Sequence, residues 1–390
     1  MLTVFSTTRP KRAGEPDSPR CAFLGGALLV LASTLVGCGS AGPVHRPFAT
    51  ASVAEPLVIA PAAPLTVPPL AVTTSAPPRP ALVTNTPRVL LPANLFAPTW
   101  VPLDAWGQFN GWDKPQRLTA ANAPHPTYRI QSTNGSWMLK AGSRVAQCNG
   151  LEVWLGYEPR VMWDALYVHT LDAQRNLQAL IAVPELITKS NRVIVLDPGH
   201  GGQDSGTRSA NSRDYEKNLT LDWALRLRPI LEAEGWKVHL TRSEDRDVSL
   251  ADRVALADRV GADFFLSLHF NSATPNARQT GVETFCLTPV GMPSSLVRDF
   301  EDDPKHVFPN NAFDTQNVQI AYRLHRAVLQ CTQAADRGVR RARFMGVVRG
   351  QKRPAVLIEG GYLSNPVEAR KIESAAYRQA LAEAVGRALD

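Results

Sequence analysis

From Arg192 onward the chain alternates apolar runs of strand length with stretches of helical length, an order that few architectures accept. Val193-Ile-Val-Leu196 is uninterruptedly apolar, as a strand covered on both faces must be. After the loop Asp197-Pro-Gly-His-Gly-Gly202, a helix is expected from about Glu216 to Glu234, closed by Gly235. Strands are expected at Lys237–Thr241, Asp263–Phe270, Gly281–Leu287 and Ala355–Glu359. Helices are expected at Ser249–Val260, with a Ser-x-x-Asp start, and at Asn317–Gln330. Asn365-Pro366 opens another helix with proline at its first position, and a last one runs to the C-terminus. Strands alternating with helices predict an α/β fold, a three-layer sandwich with a mostly parallel central sheet.

That topology gathers particular side chains. His200 follows the first strand by four residues, His269 sits at the carboxyl end of the third, and Glu359 ends the late strand. In open α/β sheets ligands collect at the carboxyl edge of the strands. Glu216 begins the first long helix at that same edge. Two histidines and a carboxylate form a catalytic zinc set that leaves one position for water. A second carboxylate nearby can move protons. Each residue also has a plainer reading. A single histidine is commonly structural, and Glu216 favours a helix N-terminus by charge alone. Glu359 resists the plainer reading, because a buried unpaired charge is costly.

A series of motifs then appears in order: Val195-Leu-Asp-Pro-Gly-His-Gly-Gly202, Tyr215-Glu-Lys-Asn218, Leu240-Thr-Arg242, Leu266-Ser-Leu-His-Phe-Asn271, Gly281-Val-Glu-Thr284, Arg337-Gly338 and Val356-Leu-Ile-Glu-Gly-Gly-Tyr-Leu-Ser-Asn365. Together they resemble the zinc-dependent N-acetylmuramoyl-L-alanine amidases of the third amidase type, over nearly all of 191–390. The resemblance implies that His200, Glu216 and His269 bind Zn2+ and that Glu359 is the catalytic carboxylate. It implies peptidoglycan as substrate, cut at the amide between N-acetylmuramic acid and L-alanine. Substrate-binding residues and any protein activator stay unassigned. Two alternatives remain: a zinc peptidase acting on peptidoglycan cross-links, and a non-catalytic wall-binding lipoprotein.

The N-terminal region is of another kind. Lys11, Arg12 and Arg20 precede the apolar run Cys21–Val36, which is short for a spanning helix. It ends in Leu35-Val-Gly-Cys38, which resembles the bacterial lipobox and implies a signal peptide over 1–37, lipidation of Cys38 and attachment to a membrane in the cell envelope. An ordinary secretion signal or a retained anchor is the alternative. Pro43–Pro98 holds 13 prolines and four charged residues in 56 positions. Proline removes backbone donors and favours extended structure, so 38–98 reads as a semi-rigid tether. Of the chain's net charge of +7, +5 is spread over residues 1–190, with 15 basic and 10 acidic residues, against 27 and 25 in 191–390. No basic stripe of the kind nucleic acid requires is expected. Of the cysteines left after such processing, Cys148, Cys286 and Cys331, at most one pair can bridge, and none is expected to.

Residues 99–188 read as a small, mainly β accessory domain. Trp137–Lys140 and Glu152–Leu155 are short apolar segments with the hairpin signal Asn149-Gly150 between them. Pro159–Val168 reads as a strand pair and Leu171–Ile181 as a short helix. The pattern is similar to the N-terminal-like domain named after copper amine oxidases, without implying copper. Trp137, Trp154, Trp163 and Tyr167 are either core or a glycan-binding face. Finally, 288–316 is polar and punctuated by proline, without helical period. It reads as an inert insertion, a substrate-shaping loop or a partner site.

Overall fold

The computed structural model describes residues 99–133, 135–181, 191–273, 275–298 and 301–390. The expected signal peptide over 1–37, Cys38 and the expected tether over 38–98 lie outside the described residues. The strands are β1 (Trp100–Pro102), β2 (Gln116–Arg117), β3 (Thr127–Ser132), β4 (Gly135–Lys140), β5 (Val145–Cys148), β6 (Leu151–Trp154), β7 (Arg160–Met162), β8 (Ala165–His169), β9 (Val193–Pro198), β10 (Lys237–Leu240), β11 (Phe264–Asn271), β12 (Val282–Leu287), β13 (Asp336–Ala342) and β14 (Ala355–Tyr362). Helices are α1 (Leu103–Phe109), α2 (Thr170–Asp172), α3 (Gln178–Ile181), α4 (Glu216–Ala233), α5 (Leu250–Arg259), α6 (Asp314–Thr332), α7 (Gly346–Arg349), α8 (Pro366–Glu373) and α9 (Ala375–Leu389).

The main sheet runs β10-β9-β11-β14-β12-β13-β6-β5-β4-β3-β2. Its first four strands are parallel. β12 is antiparallel to β14 and parallel to β13. Period-two alternation along the strands builds the layers. Ile194, Leu196, Leu266, Leu268 and Ile358 pack in one apolar cluster with Trp223 of α4, Leu324 of α6 and Val385 of α9. Val193, Val195, Phe265 and Leu357 pack in a second cluster with Ala257 of α5 and Val348 of α7. The mostly parallel α/β sandwich is therefore present.

Three local expectations change. β14 does not end at Glu359 but continues to Tyr362, the backbone turning at Gly361 with φ 134°. The strand Asp336–Ala342 is hidden in sequence by its charge. Its Arg340 and Arg341 are buried because Glu283 accepts from the first at 2.6 Å and Asn176 Oδ1 from the second at 3.0 Å. The Asn149-Gly150 turn, with φ of 48° and 83°, joins β5 to β6 rather than linking the segments expected on either side of it. β5 itself is too short and mixed to carry an apolar period.

Of the accessory strands, β1, β8 and β7 form a small antiparallel sheet of their own, but β2–β6 do not. β6 pairs in parallel with β13 at Val339 and Val153, which continues the main sheet into the β2–β6 meander. Trp154 Nε1 donates to Arg337 O at 3.1 Å, and the Arg340 guanidinium lies 4.2 Å from the Trp154 ring centroid. The four aromatics do not share a face. Trp137 is buried, Trp154 sits at this junction, and only Trp163 and Tyr167 pair at the β7–β8 tip, 5.7 Å apart. Cys148, Cys286 and Cys331 are free thiols. Among the described residues no helix is long and apolar enough to cross a membrane.

Candidate active site

The loop after β9 is pinned from below. Asp197 is buried and its carboxylate accepts from Thr241 Oγ1 at 2.7 Å, Ser267 Oγ at 2.8 Å and Arg253 Nη1 at 2.6 Å. Arg242, also buried, donates to Pro198 O at 3.0 Å, Gly199 O at 2.8 Å and Lys217 O at 2.7 Å. Thr241, Arg242 and Ser267 of the sequence motifs thus hold the loop rather than the reactants. Gly199 is required by close approach: a Cβ there would lie 2.2 Å from His269 Cε1. His200 adopts the left-handed region with φ 62°, which turns its ring toward α4.

His200, Glu216 and His269 converge. Their donor atoms lie within 4.8 Å of one another. His200 Nε2 is 3.1 Å and His269 Nδ1 is 2.9 Å from Glu216 Oε1. Glu216 also accepts backbone N–H bonds, from Phe270 to Oε1 at 3.0 Å and from Thr207 to Oε2 at 3.0 Å. Burial alone would raise the Glu216 pKa, but hydrogen bonds from both histidines hold it well below the usual carboxylate range. His200 Nδ1 meets both carboxylate oxygens of Asp204 at 2.9 Å. Burial opposes protonation of His200, yet the Glu216 and Asp204 carboxylates outweigh it and raise its pKa to about 9.

Glu359 pairs in register with His269 across β14 and β11, so both side chains leave the sheet on one face. Glu359 is buried, and its Oε2 has no hydrogen-bond partner. Burial pushes its pKa up, against a smaller opposing pull from His269. All four residues line a cavity of about 620 Å³. Leu250, Phe344 and Met345 supply its apolar wall, and Arg298 from the 288–316 segment reaches its lining.

Residues 194–390 match the family model described as N-acetylmuramoyl-L-alanine amidase. The chain belongs to that amidase family. It is 35% identical over 199 residues to the sporulation-specific N-acetylmuramoyl-L-alanine amidase of Bacillus subtilis (strain 168), spanning 50% of this chain and 66% of that protein. It is 32% identical over 215 residues to the N-acetylmuramoyl-L-alanine amidase AmiA of Escherichia coli (strain K12), spanning 50% of this chain and 73% of AmiA. The catalytic domain of the amidase CwlV from Bacillus (Paenibacillus) polymyxa var. colistinus is 29% identical with a TM-score of 0.42, covering 51% of this chain and 96% of that one.

In this family member all four residues singled out by the motifs line one cavity. Sequence reasoning left the partner of His200 unnamed; Asp204, four residues on, supplies it. Arg298 and the Asn271 amide beside it were also missed. Arg298 carries no signal in sequence, because its segment has no periodicity and only the fold brings it to the cavity.

Proposed function

We propose that the chain is a zinc-dependent peptidoglycan hydrolase that cleaves the amide between N-acetylmuramic acid and L-alanine of the stem peptide. The observation that carries this reading is the register pair His269 and Glu359, which sets an unpartnered carboxylate oxygen beside the His200–Glu216–His269 cluster. The donor set fits zinc: two imidazole nitrogens and one carboxylate oxygen are its usual protein ligands. Ligands about 2.0–2.2 Å from one tetrahedral ion sit roughly 3.3–3.6 Å apart, and the histidine nitrogens, at 3.1 Å and 2.9 Å from Glu216 Oε1, need to open only by a few tenths of an ångström. Asp204 orients His200 through its other ring nitrogen, as ligating histidines require.

When bound there, zinc supplies Lewis acidity toward a carbonyl and a water. Glu359 does the proton work. Its raised pKa suits a group that takes a proton from the attacking water and returns it to the departing alanine amine. The pinned Asp197–His200 loop keeps His200 in place throughout, and sheet register keeps His269.

The same reading extends to the N-terminal half. Cys38 is lipidated, 38–98 tethers the body to a membrane, and the enzyme works in the cell envelope as a periplasmic or outer-membrane-associated lipoprotein. Purified protein incubated with muropeptides, with and without chelator, tests the core of this. Release of intact stem peptides with a free alanine amine, abolished by chelation, is the expected result. Cleavage within the peptide would favour a cross-link peptidase, and no cleavage would favour a wall-binding role.

A further inference from the structure

Two arginines line the cavity, and they are in opposite states. Arg253 is buried and fully engaged, with Asp197 at 2.6 Å, Pro198 O at 3.1 Å and His200 O at 2.7 Å. Arg298 is exposed. Its guanidinium lies 4.8 Å from the Phe344 ring centroid, and among the described residues its one hydrogen bond runs from Nη2 to Asn271 Oδ1 at 3.1 Å. Both partners are uncharged. A guanidinium has five N–H donors in a planar fork, so among the described residues most of the donors of this cavity-lining group are unused.

Arg298 is also presented from a fixed base. Buried Arg343 donates to Pro289 O at 2.8 Å, Met292 O at 2.7 Å and Asp302 Oδ1 at 2.7 Å. Arg144 of the accessory strands donates to Ser294 O at 3.0 Å, and Ser295 N donates to Arg341 O at 2.8 Å. The segment leading to Arg298 is thereby clamped between the two halves of the sheet. Asn271 is oriented in turn. Its amide nitrogen donates to Glu283 Oε2 at 2.7 Å, and Glu283 is held by Arg337 at 3.0 Å and Arg340 at 2.6 Å. The Asn271 oxygen, which also accepts from Ser272 N at 2.8 Å, thereby faces Arg298.

A fork of this kind matches a carboxylate bidentately. On the peptide side of the scissile amide, stem peptides carry free carboxylates. We infer that Arg298 is a specificity residue that receives a stem-peptide carboxylate while the His200–Glu216–His269 cluster and Glu359 take the amide. The inference rests on the amidase reading and gives the 288–316 segment a substrate-shaping role.

The test uses the full chain and two soluble muramoyl peptides, one with free stem carboxylates and one with those carboxylates amidated. Wild type should favour the free acid by about 10- to 100-fold in kcat/KM, the range of a charge-assisted hydrogen bond. Arg298→Ala should lose that factor on the free acid, mostly in KM, and change little on the amide. Arg298→Lys should recover part of it. Equal losses on both substrates would show that Arg298 acts only through Glu359 and overturn the inference. Equal rates for both substrates with active wild type would overturn it while sparing the amidase reading. Wild type inert on both would overturn the amidase reading, and this inference with it.

Discussion

His269 and Glu359 stand side by side on adjacent parallel strands, and their pairing sets a candidate ligand and a candidate proton carrier at the same height above the sheet. Sheet register alone creates that proximity, so it does not depend on a flexible loop.

Glu359→Gln therefore separates metal from chemistry. The substitution keeps shape but cannot accept a proton. Zinc content should stay at wild-type level while turnover falls by about 10²–10⁴-fold. Near-normal turnover with full metal would make Glu359 structural.

Metal binding should depend on pH in a direction set by His200. Without metal its pKa is raised to about 9, and binding requires the neutral ring. Zinc affinity should rise with pH up to about 9, by about tenfold per unit from this one proton. In chelated protein the linkage has the opposite sign. The stabilisation from His200 is whole below its ordinary value of about 6.5 and is lost as pH rises through about 9. Glu216, depressed when folded, contributes above the ordinary carboxylate range and loses its contribution as pH falls through it. Competition titration of zinc and thermal melts across pH, with and without chelator, read both. A flat affinity would contradict the assignment of His200 as a ligand.

Asp204→Asn should weaken zinc binding about 10- to 100-fold, the range for partners that orient ligating histidines. The chelated variant should also melt with less pH dependence above neutrality. Unchanged affinity would show that the Asp204 contact is incidental.

Gly199→Ala tests the close approach beneath His269. The new Cβ would sit 2.2 Å from Cε1 of that ring, so the ring or the loop must shift. Zinc content after dialysis should drop sharply while the far-ultraviolet circular dichroism stays native. A fully metallated variant would mean the loop yields without disturbing the site.

The tether prediction concerns reach. The 56 residues Pro43–Pro98, drawn out as polyproline II, span at most roughly 170 Å. Cys38→Ser should release the protein from the membrane fraction and leave activity on soluble fragments unchanged. Deleting most of the tether should reduce cleavage of intact wall only. Equal digestion of wall by the shortened chain would show that reach is not what this stretch provides.

Much of this site was legible because its chemistry sits on regular elements. An apolar run marks β9, β11 and β14 in sequence, and His269 and Glu359 interrupt or end two of those runs while His200 follows the third. What was not legible follows from pairing across the chain. Arg340 and Arg341 look like a solvated stretch until Glu283 and Asn176 are placed beside them. Val145–Cys148 is too short to show a period, and it becomes a strand through neighbours on both sides. Arg298 lies in a stretch with no period at all, and its place is dictated by buried Arg343.

The join at Val339 and Val153 has a practical corollary for anyone trimming the protein. Cutting between the halves, at about residue 190, would strip β6 from β13 and leave a bare sheet margin. It would also uncover Tyr322, whose hydroxyl donates to Cys148 O at 2.9 Å, and Gln319, whose amide donates to Ala179 O at 2.8 Å. Unpaired margins of that kind recruit other chains and promote precipitation. The family-matching half is thus expected to be sticky when produced alone and well behaved when it begins near residue 99.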